Sequence, residues 1–145
     1  MHPNAHEMYL KALRAVAGME MGRLTKPGSK VTRQEAARQC VAVFDTGFFR
    51  ALCEPARIAA LRELILLGRA DIGAIAARLP QDRSVVARHL HQLAAAQIVK
   101  AKREGRHVFY EIDASAVAER LEGILTITRL LEAATGSDAV KAKAT

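Results

Sequence analysis

The sequence predicts a mainly α-helical fold with one small β-hairpin. Apolar residues recur at helical spacing over most of the chain. The period changes between Ile98 and Ile112, where two β-leaning runs are joined by Glu104-Gly105-Arg106, whose glycine suits a tight turn. Half of the 145 residues are hydrophobic, so the chain can bury a core without disulfides or metal ions.

The N-terminal part of the sequence predicts an extension followed by the main domain. An amphipathic helix is expected from about Ala5 to Met21, then a loop, so residues 1–31 form the extension. Thr32-Arg-Gln-Glu35 has capping-box spacing, which predicts a helix from Arg33 with a bend or break at Gly47. Its buried stripe is expected to comprise Ala37, Cys40, Val41, Phe44, Phe48 and Leu52.

Start and stop signals predict four further helices. Pro55 suits the first turn of a helix that ends at Gly68. Asp71 and Asp82 are expected to cap helices over residues 72–79 and 83–96, and Asp113 a last helix from about Ala114 to Ala134. The main domain is thus placed at 32–134, with a flexible tail over 135–145. The expected buried residues of the Pro55 helix are Ile58, Leu61, Leu64, Ile65 and Leu66.

The order helix, short helix, turn, helix and hairpin is that of a winged helix-turn-helix, whose second helix enters the DNA major groove. With Val86, Leu90 and Leu93 inward, polar and small residues of that helix face outward, and the hairpin adds cations. Such side chains bind bases and phosphates, and a small residue permits close approach. The predicted DNA-binding residues are Arg83, Ser84, Ala87, Arg88, His91, Lys100, Lys102, Arg103 and Arg106.

The charge distribution supports double-stranded DNA as the partner. Lys and Arg number 22 against 15 Asp and Glu, a net charge of +7. More than half of that excess lies in residues 82–106, as expected for a DNA-contacting face. The alternative is a solvated, charged hairpin in a protein that binds no nucleic acid.

Other classes of protein are disfavoured by what the sequence lacks. It has no signal peptide and no apolar run long enough for a membrane span, so we expect a cytoplasmic protein without membrane contact. We find no Ser/His/Asp arrangement, phosphate-binding glycine loop or paired carboxylates, so we expect no enzyme.

Three segments resemble the core of the arsenic-repressor (ArsR/SmtB) family. Ala51-Leu-Cys-Glu-Pro-Ala-Arg57 is similar to the family's Ala-Leu-x-Asp-Pro-Thr-Arg, and Val86-Ala-Arg-His-Leu90 to its recognition-helix segment, with Ala87 in place of the usual Ser. Arg103-Glu-Gly-Arg-His-Val-Phe-Tyr110 resembles its wing. The resemblance implies a homodimer, joined through helices 33–52 and 114–134, that represses a promoter and releases DNA on binding an effector.

The family's common metal sites are not intact in this sequence. Residues 70–75, where a Cys-x-Cys pair would fall, contain no cysteine. Asp113-Ala-Ser115, followed by Glu119 and Glu122, lacks the histidines of the family's zinc site. No metal site and no resident cofactor are therefore predicted.

Cys40 and Cys53 are the candidate effector residues. Both can be small buried hydrophobes, redox or persulfide-forming thiols, or ligands of a metalloid that takes a third ligand elsewhere. In one continuous helix they would lie roughly 20 Å apart, too far for a disulfide. A bond within one chain would therefore need a break near Gly47.

The sequence thus predicts an effector-releasable repressor that binds an inverted-repeat operator as a dimer. Two alternatives stay open. One is a winged-helix protein-interaction module that docks a partner through residues 5–31. The other is an architectural DNA binder without an effector.

Overall fold

The computed structural model describes residues 32–44 and 46–143, with side chains described to residue 136. The predicted extension, residues 1–31, lies outside these ranges. The elements are α1 (Arg33–Phe44), α2 (Gly47–Ala51), α3 (Pro55–Leu67), β1 (Arg69–Asp71), α4 (Ile72–Ala76), α5 (Arg83–Ala95), β2 (Val99–Glu104), β3 (His107–Ile112) and α6 (Ala114–Lys143). The mainly α-helical class with a small β-sheet is confirmed.

The chain divides into two compact units. One is Gly47–Val117, and the other combines the described residues before Gly47 with those from Ala118 onward. The first unit contains α2 to α5 and all three strands. None of the helices within the described ranges combines the length and apolar character of a membrane span.

The sheet has three antiparallel strands in the order β1-β3-β2, not two as predicted. β1 is a three-residue strand whose Ala70 pairs with Tyr110. Gly105 joins β2 to β3 with a φ of 62°, the left-handed conformation expected for the hairpin turn. The backbone N–H of Asp113 donates to the carbonyl of Ile98 at 3.0 Å, which closes the hairpin at its base.

The core of the Gly47–Val117 unit lies where α3, α4 and α5 pack together and against the sheet. Its fully buried side chains are Leu64, Ile75, Val86, Leu90, Leu93, Ile98 and Tyr110. Arg57 on α3 donates through Nη1 to the carbonyls of Arg50 and Ala51, at 3.3 and 3.1 Å. This side chain therefore caps the C-terminal end of α2.

The helix predicted from Arg33 is interrupted near Gly47 as expected, since α1 ends at Phe44 and α2 begins at Gly47. The predicted buried stripe is only partly right: Phe48 is buried and Ala37, Cys40 and Leu52 are half-buried, but the stripe is wrong for the other residues of α1. The buried residues of α1 are Ala36 and Val43, so the inward face is rotated by one residue from the predicted one. The rotation leaves Val41 and Phe44 exposed. Thr32 caps the N-terminus of α1 as expected, since its Oγ1 accepts the N–H of Glu35 at 3.2 Å.

The bounds of α3 match the prediction, but its buried face does not. Only Ala60 and Leu64 are buried, whereas Ile58, Ile65 and Leu66 are exposed and Leu61 is half-buried. A helix with apolar residues on several sides does not specify from its sequence which side meets the core. Gly68, with a φ of 80°, ends the helix by donating to the carbonyls of Leu64 and Ile65.

Two predicted helix ends are wrong. α4 ends at Ala76 rather than Leu79, because the N–H groups of Arg78 and Leu79 donate to carbonyls three residues back and tighten the last turn. α6 continues to Lys143 instead of ending at Ala134. Residues 135–143, predicted from the sequence to lie in the tail, are therefore helical. Gly136 is compatible with this helix, since a glycine costs a helix only about 1 kcal/mol.

Candidate nucleic-acid interface

The helix-turn-helix consists of α4, a tight turn and α5. Asp71 caps α4 as predicted, because its Oδ1 accepts the N–H of Ala74 at 2.8 Å. The fully buried Ile75 anchors this helix in the core. Asp82 stands at the start of α5, but its side chain makes no capping hydrogen bond. Its backbone carbonyl instead accepts from Val85 and Val86, so the predicted side-chain cap is wrong.

The buried side of α5 fixes which side chains face outward. Val86, Leu90 and Leu93 are completely buried, as the sequence predicts. Of the predicted DNA-binding residues on this helix, Arg83, Ser84, Arg88 and His91 are exposed and Ala87 is half-buried. Ser84, Arg88 and His91 are spaced by four and three residues and therefore share one face.

The arginines of α5 are not neutralised within the described chain. No carboxylate of residues 32–44 or 46–136 forms an ion pair with Arg83 or Arg88. Both residues are exposed, and Arg83 stands in the first turn of the helix, where the helix dipole also favours negative charge. This half of α5 is thus suited to an anionic ligand.

His89 differs from the exposed histidine two residues later. It is buried, and its Nδ1 has no hydrogen-bond partner. Its position beside Val86 and Leu90 on the helix makes it part of the packed side of α5. His91 is exposed, and its ring lies 6.5 Å from that of Tyr110 between centroids, a contact that joins α5 to β3. Burial raises the pKa of the Tyr110 hydroxyl.

The four predicted cations of the wing lie in different surroundings. Lys100 forms an ion pair with Glu111 at 3.5 Å, and Lys102 with Glu104 at 3.6 Å. The strand register puts Arg103 on the other sheet face, opposite Val108. Arg106 follows Gly105 at the tip and is exposed. Among the described side chains, neither arginine has a carboxylate partner.

Sequence reasoning missed the side chains that join the wing to β1. Arg69 donates from Nη2 to Glu104 Oε1 at 2.6 Å, and its guanidinium carbon lies 4.3 Å from the centroid of the Phe109 ring. His107 Nδ1 lies 3.5 Å from Asp71 Oδ2. No local signal marks these contacts, because the paired residues are more than 30 positions apart in the sequence.

The structure separates the two candidate effector cysteines. Cys40 is half-buried on α1, whereas Cys53 is exposed in the segment after α2, where its Sγ donates to the carbonyl of Phe49 at 3.1 Å. Both are free thiols. The interpretation of both as small buried hydrophobes is therefore wrong for Cys53.

Asp113, where the resembled family begins its zinc site, is a helix cap here. Its Oδ1 accepts the N–H of Ala116 at 3.2 Å and the hydroxyl of Ser115 at 3.1 Å. The hydrogen bonds from Ala116 and then Ser115 lower the pKa of this carboxyl. Within residues 32–44 and 46–143, no group of three or more His, Cys, Asp or Glu side chains could hold a metal ion.

These features decide the architecture: a short helix, a tight turn, an outward-facing second helix and a three-stranded sheet with a cationic hairpin. The fold is a winged helix-turn-helix. This winged helix-turn-helix places the exposed face of α5 and the tip of the wing in one compact unit, Gly47–Val117.

Comparison with solved structures finds similar proteins. An ArsR-like transcriptional regulator from Rhodococcus sp. RHA1 is 26% identical, with 68% of this chain and 85% of that chain covered and a TM-score of 0.47. Rv0081 of M. tuberculosis is 31% identical, the match covers 64% of this chain and 89% of Rv0081, and the TM-score is 0.44. The homodimeric winged helix-turn-helix domain of Mb0332 from Mycobacterium bovis, described as a possible ArsR-family regulator, is 24% identical, with 75% and 90% covered and a TM-score of 0.47.

Two of these three proteins, the Rhodococcus regulator and Mb0332, are described as ArsR-like and as a possible ArsR-family regulator, which is the family that the three sequence segments resemble. The TM-scores all lie below 0.5, so the fold assignment rests on the chain's own helices, turn and wing. No protein-family model and no curated protein matches the sequence.

Proposed function

We propose that this chain is a transcriptional regulator of the ArsR family that binds double-stranded DNA through α5 and the wing. The observation that carries the proposal is the two-sided character of α5. On one side, Val86, Leu90 and Leu93 are buried in the core. On the other side, Ser84, Arg88 and His91 are exposed to solvent. A helix held in this way can enter a major groove without rearrangement, and its arginines can bind guanine or phosphate.

Arg88→Ala tests this proposal directly. An arginine that contacts a base contributes about 1–3 kcal/mol, so we expect binding that is weaker by about five- to 150-fold. Fluorescence anisotropy with duplexes from the region upstream of the chain's own gene measures the affinity, and circular dichroism verifies the fold. Arg62→Ala is the matched control, because Arg62 is exposed on α3, outside the helix-turn-helix and the wing. Full affinity in Arg88→Ala would contradict the assignment of α5.

We further propose that the regulator acts as a homodimer. α1 and α6 each present large apolar side chains to solvent within one chain: Val41 is 68% exposed, Phe44 58%, Leu121 51% and Leu125 50%. Exposed apolar area of this kind is costly in water and is commonly covered by a second subunit. Two α5 helices related by a twofold axis would then read the halves of an inverted repeat about one helical turn apart.

The proposed role is that of a repressor released by an effector, with Cys53 as the accessible thiol. A reporter gene under the chain's own upstream region should be transcribed less when the protein is present. Release is tested by adding oxidants, sulfide donors or arsenite to the preformed complex. Release that persists unchanged in a Cys40→Ser, Cys53→Ser variant would overturn the thiol role.

A further inference from the structure

The outward face of the sheet carries an ion-pair network between its two edge strands. Arg69 lies on β1 and Glu104 on β2, and β3 separates these strands. The guanidinium of Arg69 crosses the gap above Phe109 of β3, at 4.3 Å from the ring centroid, and reaches Glu104 at 2.6 Å. One side chain thus contacts all three strands.

Glu104 is the acidic residue nearest the tip of the wing. It precedes Gly105 and Arg106, and its partner in the strand register is His107. A carboxylate here would repel DNA phosphates if it were not neutralised. Arg69 at 2.6 Å and Lys102 at 3.6 Å supply the opposite charge. The hydrogen bond from Arg69 is the main cause of the lowered pKa of Glu104.

A second contact ties the same edge strand to the wing. Asp71 of β1 accepts the N–H of Ala74 through Oδ1 and lies 3.5 Å from His107 Nδ1 through Oδ2. The residue that caps the first helix of the helix-turn-helix therefore also contacts the first residue of β3. Together with Arg69 and Glu104, it links the end of the wing next to Gly105 to the helix-turn-helix.

We propose that Arg69 is a positioning residue for DNA binding, which fixes the hairpin against β1 and neutralises Glu104 so that Arg103 and Arg106 can reach phosphates. This inference rests on the proposed function and deepens it. Arg69 acts through Glu104 and the wing, and it contacts no DNA itself. An isolated exposed ion pair contributes little, but here the ring of Phe109 holds the guanidinium in place between the strands.

A double-mutant cycle on Arg69 and Glu104 tests the inference. Arg69→Ala exposes the charge of Glu104 and frees the hairpin, so we expect about five- to tenfold weaker DNA binding. Glu104→Gln alone should bind as tightly as the wild type or more tightly. The double variant should bind more tightly than Arg69→Ala, because the carboxylate that repels phosphates is then absent. It should stay weaker than the wild type by up to about threefold, because the contact that fixes the hairpin is still missing. Arg62→Ala serves as the control for loss of one exposed arginine.

Two results would overturn the inference: Arg69→Ala binding within twofold of the wild type, or a double variant no tighter than Arg69→Ala. Amide hydrogen exchange without DNA supplies a second readout. Arg69→Ala should speed exchange of the β2 and β3 amides near Gly105 and leave α3 unchanged. Unchanged exchange in the hairpin would contradict the bracing role. Failure of the wild type to bind any duplex would instead overturn the proposed function, and the exchange measurement would still decide whether Arg69 fixes the hairpin.

Discussion

Lys102 and Arg103 are neighbours in the sequence but point to opposite faces of the wing. Lys102 forms an ion pair with Glu104 on the face that carries Arg69, whereas Arg103 lies opposite Val108 on the other face. The pairing reduces the positive charge that Lys102 offers to a phosphate. From the sequence, both residues have the same predicted role, because charge alone does not show which cations are already neutralised.

We therefore predict that Arg103→Ala weakens DNA binding more than Lys102→Ala. The expected loss is about five- to tenfold for Arg103→Ala, with a slope of log affinity against log salt that is smaller by about one. Lys102→Ala should lose less than about threefold. Salt titrations followed by fluorescence anisotropy measure both quantities. Equal losses of DNA affinity in the two variants would contradict this prediction, because both faces of the wing would then contribute equally to DNA binding.

The cap at Asp113 predicts a specific acid dependence of stability. Its pKa is lowered in the folded chain by the N–H of Ala116 and the hydroxyl of Ser115. The stabilisation is therefore complete above the unfolded-state pKa, near 3.9, and is lost as the pH falls through the lower folded-state value. Asp113→Asn keeps a capping oxygen without the titrating charge. Urea unfolding between about pH 5 and pH 2 should show a shallower loss of stability in this variant, and superimposable profiles would refute the prediction.

At the scale of elements, most helix caps and glycine turns were predicted correctly, the side-chain cap at Asp82 being the exception, whereas the buried faces of α1 and α3 were predicted poorly. Thr32, Pro55, Gly68, Asp71 and Gly105 each stand at the helix start, helix end or turn that the sequence indicated. Local backbone chemistry decides such positions, so a single sequence contains the necessary information. The three-residue β1 carries no periodic signal, and its existence depends on pairing with β3.

The inward faces of α1 and α3 could not be predicted for a different reason. Both helices carry apolar residues on more than one side, so the choice of buried side depends on tertiary contacts. On α5 the buried residues Val86, Leu90 and Leu93 agree with the prediction, although His89 is buried beside them. Four of the five candidate residues on this helix are exposed, and Ala87 is half-buried. The candidate site was therefore more predictable than the surrounding helices, except for the wing contacts made by Arg69.

Two glycine substitutions should change stability in opposite directions. Gly68 has a φ of 80°, so Gly68→Ala should destabilise the fold by about 1–2 kcal/mol although no atom obstructs the added methyl group. Gly136 lies within α6 with equally open space, and Gly136→Ala should stabilise that helix by about 0.5–1 kcal/mol. Urea unfolding measures both variants. If both substitutions changed the free energy of unfolding in the same direction, the argument from the backbone conformation of the two glycines would be contradicted.

At the scale of the whole molecule, DNA recognition is proposed to require two subunits. Phe44→Asp on α1 and Leu121→Asp on α6 place a charge on the apolar surfaces assigned to the dimer. Each should shift the protein to monomers in sedimentation velocity and weaken DNA binding by more than about tenfold. Leu66→Asp on α3 is the matched control, since Leu66 is 66% exposed on a different helix and should leave the dimer intact. A dimer that persists in both α1 and α6 variants would place the interface elsewhere.

The central claim, that the exposed side of α5 reads DNA sequence, is tested most directly by selection from a pool of random duplexes. The wild-type protein should enrich an inverted repeat with half-sites about one helical turn apart. Arg88→Ala, folded and dimeric, should lose the preference at one position in each half-site while retaining weak, salt-sensitive binding. Absence of any enriched sequence, or the same sequence selected with equal affinity by Arg88→Ala, would contradict the claim.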